Sequence, residues 1–208
     1  MRSTQPSPAE DVVTAGRPLQ WLLLVAGALG VVAAFVLTVE KIELLTDATY
    51  VPTCSINPVL NCGSIMRTDQ AEVFGFPNPL IGLVAFPVLA ATGAALLAGG
   101  RLRRWYWLGL QVGATAGVGL VGWLVFQSLY RINALCPYCM VVWAVVLPTF
   151  WYVTLSNLTT GVLGARARAS GITRALVRNH AVVLTIAYVV VLGLILERFW
   201  SYWSTLLG

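Results

Sequence analysis

Two cysteines, Cys136 and Cys139, stand in the motif CPYC, which runs directly into an apolar stretch. Their spacing and Pro137 between them place both thiols in the first turn of a helix. Unpaired backbone N–H groups and the helix dipole favour negative charge there, and Cys-x-x-Cys pairs at helix N-termini have lowered thiol pKa values. Because the thiolate is the reactive form of cysteine, this pair is suited to exchanging electrons.

A second pair, Cys54 and Cys62, brackets the sequence CSINPVLNC. Turn-forming residues fill this stretch, and we expect a loop that is free to move and that brings the two thiols together. In thiol–disulfide exchange a thiolate attacks a disulfide through a mixed disulfide, so a carrier must reach both its donor and its acceptor. A mobile pair above a fixed pair therefore predicts a two-stage relay.

Other interpretations of the cysteines stay open at this point. The helix pair would be an inert structural disulfide, the loop pair would be a simple staple, or all four thiols would share a zinc ion on a non-catalytic membrane scaffold. Two separate pairs in one chain favour redox chemistry over these alternatives.

The chain that positions these cysteines is too apolar for a water-soluble domain. Of its 208 residues, 58% are hydrophobic and only 10% are charged, and the mean hydropathy is +0.81. A bilayer core takes roughly 20 apolar residues per helical crossing. Apolar runs of about that length cover residues 19–39, 79–98, 105–129, 139–158 and 181–196. We therefore predict an all-α integral membrane protein with five transmembrane helices.

Basic residues cluster in alternate connections between these runs. The clusters are Arg2 and Arg17, then Arg101, Arg103 and Arg104, then Arg166, Arg168, Arg174 and Arg178. By the positive-inside rule the N-terminus is cytoplasmic, and the C-terminus and all four cysteines lie on the external, oxidising side. The net charge of +5 is thus explained by the membrane topology, so it does not indicate a nucleic-acid partner.

The runs also divide the chain into segments. We expect a disordered cytoplasmic tail at 1–16, four spans over 17–158 with an external loop at 40–78, a cytoplasmic connection at 159–180, and a fifth helix with an external C-terminus at 181–208. The turn after the second run is short, so the second and third spans should be antiparallel neighbours. Gly109, Gly113 and Gly117 share one face of the third span, which predicts close helix packing there.

Electrons that reach Cys136 and Cys139 need an acceptor. The chain has a single histidine, His180, so haem ligation by two histidines of this chain is excluded, and no dinucleotide-binding fingerprint is present. A lipid-soluble two-electron acceptor remains, and a quinone dissolved in the bilayer fits.

These features together resemble the bacterial members of the vitamin K epoxide reductase family, over roughly residues 18–158. The resemblance rests on the spacing of Cys54 and Cys62, on VFGFPNPLIGL at 73–83, and on CPYC at the start of the fourth span. It implies a four-helix bundle around a quinone pocket, plus one extra helix, in the bacterial cell membrane. Some members carry a fused thioredoxin-like domain; here we expect a separate exported thioredoxin-fold, DsbA-like partner.

The resemblance also implies roles for individual residues. Cys139 would be the cysteine next to the quinone, Cys136 would exchange with Cys62, and Cys54 would be attacked by an outside thiol. Asn78, at the start of the second span, matches an asparagine that helps to hold the quinone oxygen. The high Ala, Gly, Val and Arg content of the chain leads us to expect menaquinone as the quinone, with ubiquinone as the alternative.

Two positions depart from the family pattern. By the resemblance Thr68 would contact the quinone; it stands where a serine is typical, which keeps the hydroxyl and adds a methyl group. Trp143 stands where animal members carry a tyrosine, so its ring would wall the quinone pocket without that hydroxyl. Reduction of vitamin K epoxide is the alternative activity within the same family.

Overall fold

The computed structural model describes residues 12–47 and 49–207, and most of them are helical. The elements in chain order are β1 (Val12–Val13), α1 (Arg17–Thr46), α2 (Cys62–Met66), a 3-10 turn (Asp69–Glu72), α3 (Pro79–Leu97), β2 (Leu102–Arg103), α4 (Arg104–Gln127), a π-helical turn (Ser128–Ile132), α5 (Pro137–Thr160), α6 (Ala165–Ala169), α7 (Gly171–Arg178), α8 (His180–Arg198) and α9 (Trp200–Leu207). Within the described residues, five helices, α1, α3, α4, α5 and α8, are long and apolar enough to cross a membrane. The predicted all-α membrane fold with five spans is confirmed.

Helix α1 is the first span of the bundle. It packs against α3 and α5, α5 packs against α4, and α8 lies against α5 and the π-helical turn. Glycines bring α1 and α3 into backbone contact, because a Cβ atom added at Gly27 would lie 2.4 Å from the backbone nitrogen of Ala90. At Gly93 an added Cβ atom would lie 2.4 Å from the backbone nitrogen of Leu24.

Helices α3 and α4 leave a cavity between them. The sequence predicted that the glycine stripe of α4 would pack against another helix, and this is wrong for Gly109 and Gly113. Among the described residues, no atom lies within 4 Å of a Cβ atom added at either position, whereas one added at Gly117 would lie 3.8 Å from Val146 Cγ1. Small residues create room along a helix, and here the neighbouring helix α3 is held away by its packing on α1.

The bundle has two chemically different ends. We call the end that holds the cysteines the thiol end, and the end that holds α6, α7 and the β1–β2 pair the arginine end. At the arginine end Val12 pairs with Arg103 and Val13 with Leu102, so part of the predicted tail at 1–16 is paired backbone. Residues 1–11 of that tail lie outside the described residues.

Helix α1 continues beyond the first predicted span, from residue 39 to Thr46. This extension carries Glu40 and Lys41 into the thiol end, where both side chains are buried. A buried charge is costly unless it is paired or hydrogen-bonded. The extension therefore points to specific polar partners around the cysteines.

A candidate thiol-disulfide site at one end of the bundle

The cysteines form two pairs in different redox states. Cys54 and Cys62 are joined by a disulfide with their Cα atoms 5.6 Å apart, whereas Cys136 and Cys139 are free thiols. The Sγ atoms of Cys62 and Cys136 lie 3.2 Å apart. Reacting atoms held at about 3 to 3.5 Å are close to an attack geometry, so exchange between the two pairs needs little further movement.

A short backbone bridge brings Cys62 and Cys136 together. The N–H of Leu135 donates to the carbonyl of Val59 at 2.7 Å, and the N–H of Asn61 donates to the carbonyl of Leu135 at 2.8 Å. Each cysteine directly follows a residue of this bridge. The bridge therefore fixes the register of the two cysteine-bearing segments.

The loop that carries the outer disulfide is anchored in this state. The side-chain oxygen of Asn57 accepts hydrogen bonds from the N–H groups of Val59 (2.9 Å) and Leu60 (2.7 Å). Asn61 caps α2 by accepting from the N–H of Ser64 at 3.0 Å. The sequence predicted a loop that is free to move, and the structure shows that loop docked on the inner pair.

Cys136 occupies the N-cap position of α5. Its sulfur accepts a hydrogen bond from the N–H of Cys139 at 3.3 Å. The pKa of the Cys136 thiol is lowered, chiefly by a hydrogen bond from the Cys139 side chain and then by backbone N–H groups of Cys139 and Tyr138; burial and the Glu40 charge oppose this. The expected placement at a helix N-terminus is thus present, with Cys136 as the cap and Cys139 in the first turn.

Buried Glu40 holds the segment that leads to Cys54. Its carboxylate accepts hydrogen bonds from the Tyr50 hydroxyl at 3.0 Å, from the Thr53 N–H at 3.1 and 3.2 Å, and from the Thr53 hydroxyl. These bonds satisfy a charge that is only 5% exposed. They also fix the backbone directly before the outer disulfide.

Lys41 holds the segment that follows Cys62. Its ammonium group donates to the carbonyl of Met66 at 2.6 Å and forms an ion pair with Glu72 at 2.8 Å. Consecutive residues of α1 thus anchor opposite sides of the outer disulfide. This role of Glu40 and Lys41 was not predicted from the sequence, where the signal for it is a pair of opposite charges directly after an apolar run.

A cavity of about 490 Å³ extends from the thiols between α3 and α4. Cys62, Cys136 and Cys139 line it at the thiol end, and most of the remaining lining is apolar. Its volume lies in the range of roughly 300 to 1,000 Å³ that is usual for small-molecule sites. The cavity therefore offers an apolar ligand direct access to the inner thiols.

Three of the four residues predicted to contact the quinone line this cavity, namely Cys139, Trp143 and Asn78. Trp143 does so and is 4% exposed. Asn78 also lines it, but its amide nitrogen donates to the Gln70 carbonyl at 2.8 Å and its amide oxygen accepts from the Val73 N–H at 3.0 Å. An amide nitrogen carries two hydrogens, so one donor of Asn78 remains for a ligand.

Thr68 does not join them. Its hydroxyl donates to the carbonyl of Ile65 at 2.7 Å, and it is not among the described residues that line the cavity. The threonine serves the turn that follows α2. Its hydroxyl therefore stabilises the loop between Cys62 and α3.

Gln127 also lines the cavity and was not predicted from the sequence. Its side-chain oxygen is buried and has no hydrogen-bond partner among the described residues. An unpaired buried acceptor costs about 1 to 3 kcal/mol, and a ligand hydroxyl, such as that of a quinol, would donate to this oxygen and remove that cost. The size and the apolar walls fit a quinone, and this unpaired oxygen fits a hydroxyl group of its reduced form.

Three sulfur atoms also lie close enough to be considered as metal ligands. Those of Cys54, Cys62 and Cys136 are all within 4.8 Å of one another. The disulfide between Cys54 and Cys62 removes two of the thiolates that zinc requires. In this oxidation state the cluster is arranged for exchange between sulfur atoms.

The comparison with known families agrees with this geometry. The family model described as the vitamin K epoxide reductase family matches residues 21–154. No curated relative matches this chain. Members of the family are all-helical membrane oxidoreductases that act on thiols and use a quinone as electron acceptor.

Proposed function

Because the chain belongs to the vitamin K epoxide reductase family, we propose that it reoxidises an exported thioredoxin-fold, DsbA-like disulfide catalyst and passes the electrons to a membrane quinone. The observation that carries this proposal is the 3.2 Å distance between the sulfur atoms of Cys62 and Cys136. A static scaffold gives no reason to hold a disulfide against a free thiol whose pKa is lowered.

The outer pair receives electrons from the partner. A partner thiolate attacks Cys54, which forms a mixed disulfide and releases Cys62 as a thiolate. The second thiolate of the partner then attacks that mixed disulfide, which leaves the partner oxidised and Cys54 reduced. The net result is two electrons on the outer pair and one new disulfide in the partner.

The electrons then pass to the inner pair. The Cys62 thiolate attacks Cys136 of the Cys136–Cys139 disulfide and releases the Cys139 thiolate; Cys54 attacks Cys62 next, restores the outer disulfide and releases Cys136. The structure has the outer disulfide formed and the inner thiols free. It therefore matches the state that follows internal exchange. The lowered pKa of Cys136 favours it as a leaving group.

Access to Cys54 requires local movement. Cys54 is only 3% exposed, and the segment before it is held by Glu40 through Tyr50 and Thr53. A partner thiolate reaches the Cys54 sulfur when this segment lifts. Between turnovers, the carboxylate of Glu40 thus keeps this segment in place and the Cys54 sulfur covered.

The bound quinone supplies a two-electron acceptor within the membrane. Cys139 lines the cavity and is the thiol that we assign to deliver electrons there. The free amide hydrogen of Asn78 donates to a ligand oxygen, the side-chain oxygen of Gln127 accepts from a hydroxyl of the quinol product, and Trp143 closes one wall. We assign menaquinone as the acceptor, with ubiquinone as the alternative.

The proposed orientation places the arginine end in the cytoplasm and the thiol end outside the bacterial cell membrane. The arginine clusters support it through the positive-inside rule. In a chain whose native cysteines are replaced by serine, a membrane-impermeant maleimide should label Ser201→Cys in intact cells. It should label Ala169→Cys only after lysis; the reverse pattern would overturn the orientation.

Reconstitution tests the function directly. The purified protein in liposomes with menaquinone should form quinol when a reduced DsbA-type protein is added, and ubiquinone should serve less well. Cys62→Ala should abolish quinol formation, because Cys54 alone cannot form the outer disulfide that the partner reduces. Normal turnover by Cys62→Ala would refute the relay. Turnover of vitamin K epoxide but not of the quinone would favour the alternative activity.

A further inference from the structure

The fifth span reaches the thiol end through Arg198, the last residue of α8. Its Nε atom donates to the carbonyl of Leu129 at 2.8 Å, and its Nη2 atom donates to the side-chain oxygen of Asn133. Both acceptors lie in the segment that joins α4 to Cys136. A residue of the fifth helix thus holds the chain directly before the inner thiols.

That segment needs an outside donor because it ends a helix in an unusual way. The π-helical turn Ser128–Ile132 is closed by Asn133, which adopts a left-handed conformation with φ of 59°. The N–H groups of Asn133 and Ala134 both turn back to the carbonyl of Ser128. Carbonyl groups in the last turn of a helix lack internal partners, and Arg198 supplies one to Leu129.

Apolar contacts reinforce the same connection. Ile195 and Phe199 are buried and belong to one cluster with Leu129, Leu135 and Val59. Leu135 and Val59 are hydrogen-bonded to each other in the bridge that aligns the cysteine segments. The fifth span therefore packs on the structure that sets the distance between Cys62 and Cys136.

We propose that Arg198 is a positioning residue for internal thiol–disulfide exchange and that the fifth span is an integral part of the thiol site. Arg198 holds the backbone of Leu129 and the side chain of Asn133 in place. This sets the course of the chain to Leu135, whose backbone bridge positions Cys136 against Cys62. The role rests on the proposed relay, since it serves the exchange step. It requires no contact between the guanidinium group and a sulfur atom.

The experiment isolates the Cys62–Cys136 distance from the rest of the reaction. In a Cys54→Ser, Cys139→Ser background only Cys62 and Cys136 remain as thiols. Diamide, an azo oxidant, takes up two electrons and two protons when the Cys62 and Cys136 thiols form a disulfide. The rate of disulfide formation is followed by gel shift. Arg198→Gln should slow this reaction about tenfold or more, because a displacement of about 1 Å can cost up to a hundredfold.

Arg198→Lys should recover part of the rate, because an ammonium group can reach one acceptor but cannot reproduce the two-pronged geometry of a guanidinium. Arg104→Gln is the matched control. Arg104 donates through Nε (3.1 Å) and Nη2 (2.9 Å) to the carbonyl of Val162 at the arginine end. Its loss removes equivalent bonds from the opposite end and should leave the diamide rate unchanged.

Asn133→Gly provides a second variant that keeps the left-handed turn and removes only one acceptor of Arg198. It should slow disulfide formation less than Arg198→Gln does, with little change in the thermal unfolding temperature. Equal diamide rates in the parent and Arg198→Gln would overturn the proposal, as would equal slowing by Arg104→Gln. Because the assay contains no quinone and no partner, failure of the proposed function would leave its result intact.

Discussion

Two interfaces between neighbouring helices, which we call seams, contain glycines, and they are built in opposite ways. Between α1 and α3, Gly27 and Gly93 let the backbones touch, so that an added Cβ atom would strike backbone atoms of the other helix at 2.4 Å. Between α3 and α4, Gly109 and Gly113 face the cavity. Regularly spaced glycines thus leave space beside a helix. The packing of the neighbouring helix decides whether a backbone or a ligand fills that space.

Phe86 connects the two seams. It is 6% exposed and lies in a notch of α1, because a Cβ atom added at Gly30 would lie 2.2 Å from its Cδ1 atom. The same ring lines the cavity. A side chain held between α1 and α3 therefore also forms part of the cavity wall. Its fixed position keeps the cavity open on the side of α1.

The largest expected effect comes from filling the closely packed seam. Gly93→Val should lower the free energy of unfolding by about 3 kcal/mol or more, because its Cβ atom would overlap backbone atoms of Leu24 and Gln20. The midpoint of thermal unfolding in detergent measures this. Gly119→Val is the control, since no described atom lies within 4 Å of an added Cβ atom there. Equal unfolding midpoints would show that α1 and α3 are not in backbone contact.

A smaller effect is expected from filling the open seam. Gly113→Leu should leave folding intact and raise the KM for a long-chain quinone about tenfold, or about 1.4 kcal/mol. From Gly113 to Gln127 the helix rises roughly 20 Å, so position 113 is too far from the thiols to contact a quinone ring and should meet its isoprenoid tail. Quinol formation in liposomes, followed against quinone concentration, gives the KM.

Two controls sharpen this expectation. Gly122→Leu also adds a side chain where no described atom lies within 4 Å, but Gly122 is not among the described residues that line the cavity, so its KM should stay at the parent value. A quinone without a tail should be used equally well by Gly113→Leu and the parent. A change in KM for the tailless quinone would place the ring near Gly113 and contradict the assigned orientation.

Local signals in the sequence were sufficient for the spans and for the thiol chemistry. Bilayer thickness sets the length of each apolar run, and α3 and α5 begin at Pro79 and Pro137, where a proline favours a helix start. The placement of Cys136 at a helix N-terminus follows from the same short-range pattern. Span lengths, helix starts and the position of Cys136 depend on residues that are close together in the chain, so they can be predicted from the sequence.

The rest of the site depends on contacts between distant residues. Cys62 and Cys136 are 74 positions apart, and Arg198 is 69 positions from Leu129. No periodicity marks the bridge through Leu135 or the unpaired amide of Gln127. Thr68 shows the limit of positional matching, because its hydroxyl is used by Ile65 in the loop. Tertiary packing decides which of these polar groups reach the cavity.

The smallest effect should come from the hydrogen bond that joins α3 and α4 at the far end of the cavity. The Thr92 hydroxyl, which is buried, donates to the Val88 carbonyl at 2.6 Å and is also bonded to the hydroxyl of Tyr106, a cavity residue. Thr92→Val and Tyr106→Phe each remove this bond with little change in shape. Each should lower the free energy of unfolding by about 0.6 kcal/mol, the average for bonds between membrane helices. The double variant should be no less stable than Thr92→Val alone, since Tyr106→Phe removes an interaction that Thr92→Val has already lost. Additive losses would mean that the two hydroxyls act separately, and α3 and α4 would then be joined at that end by packing alone.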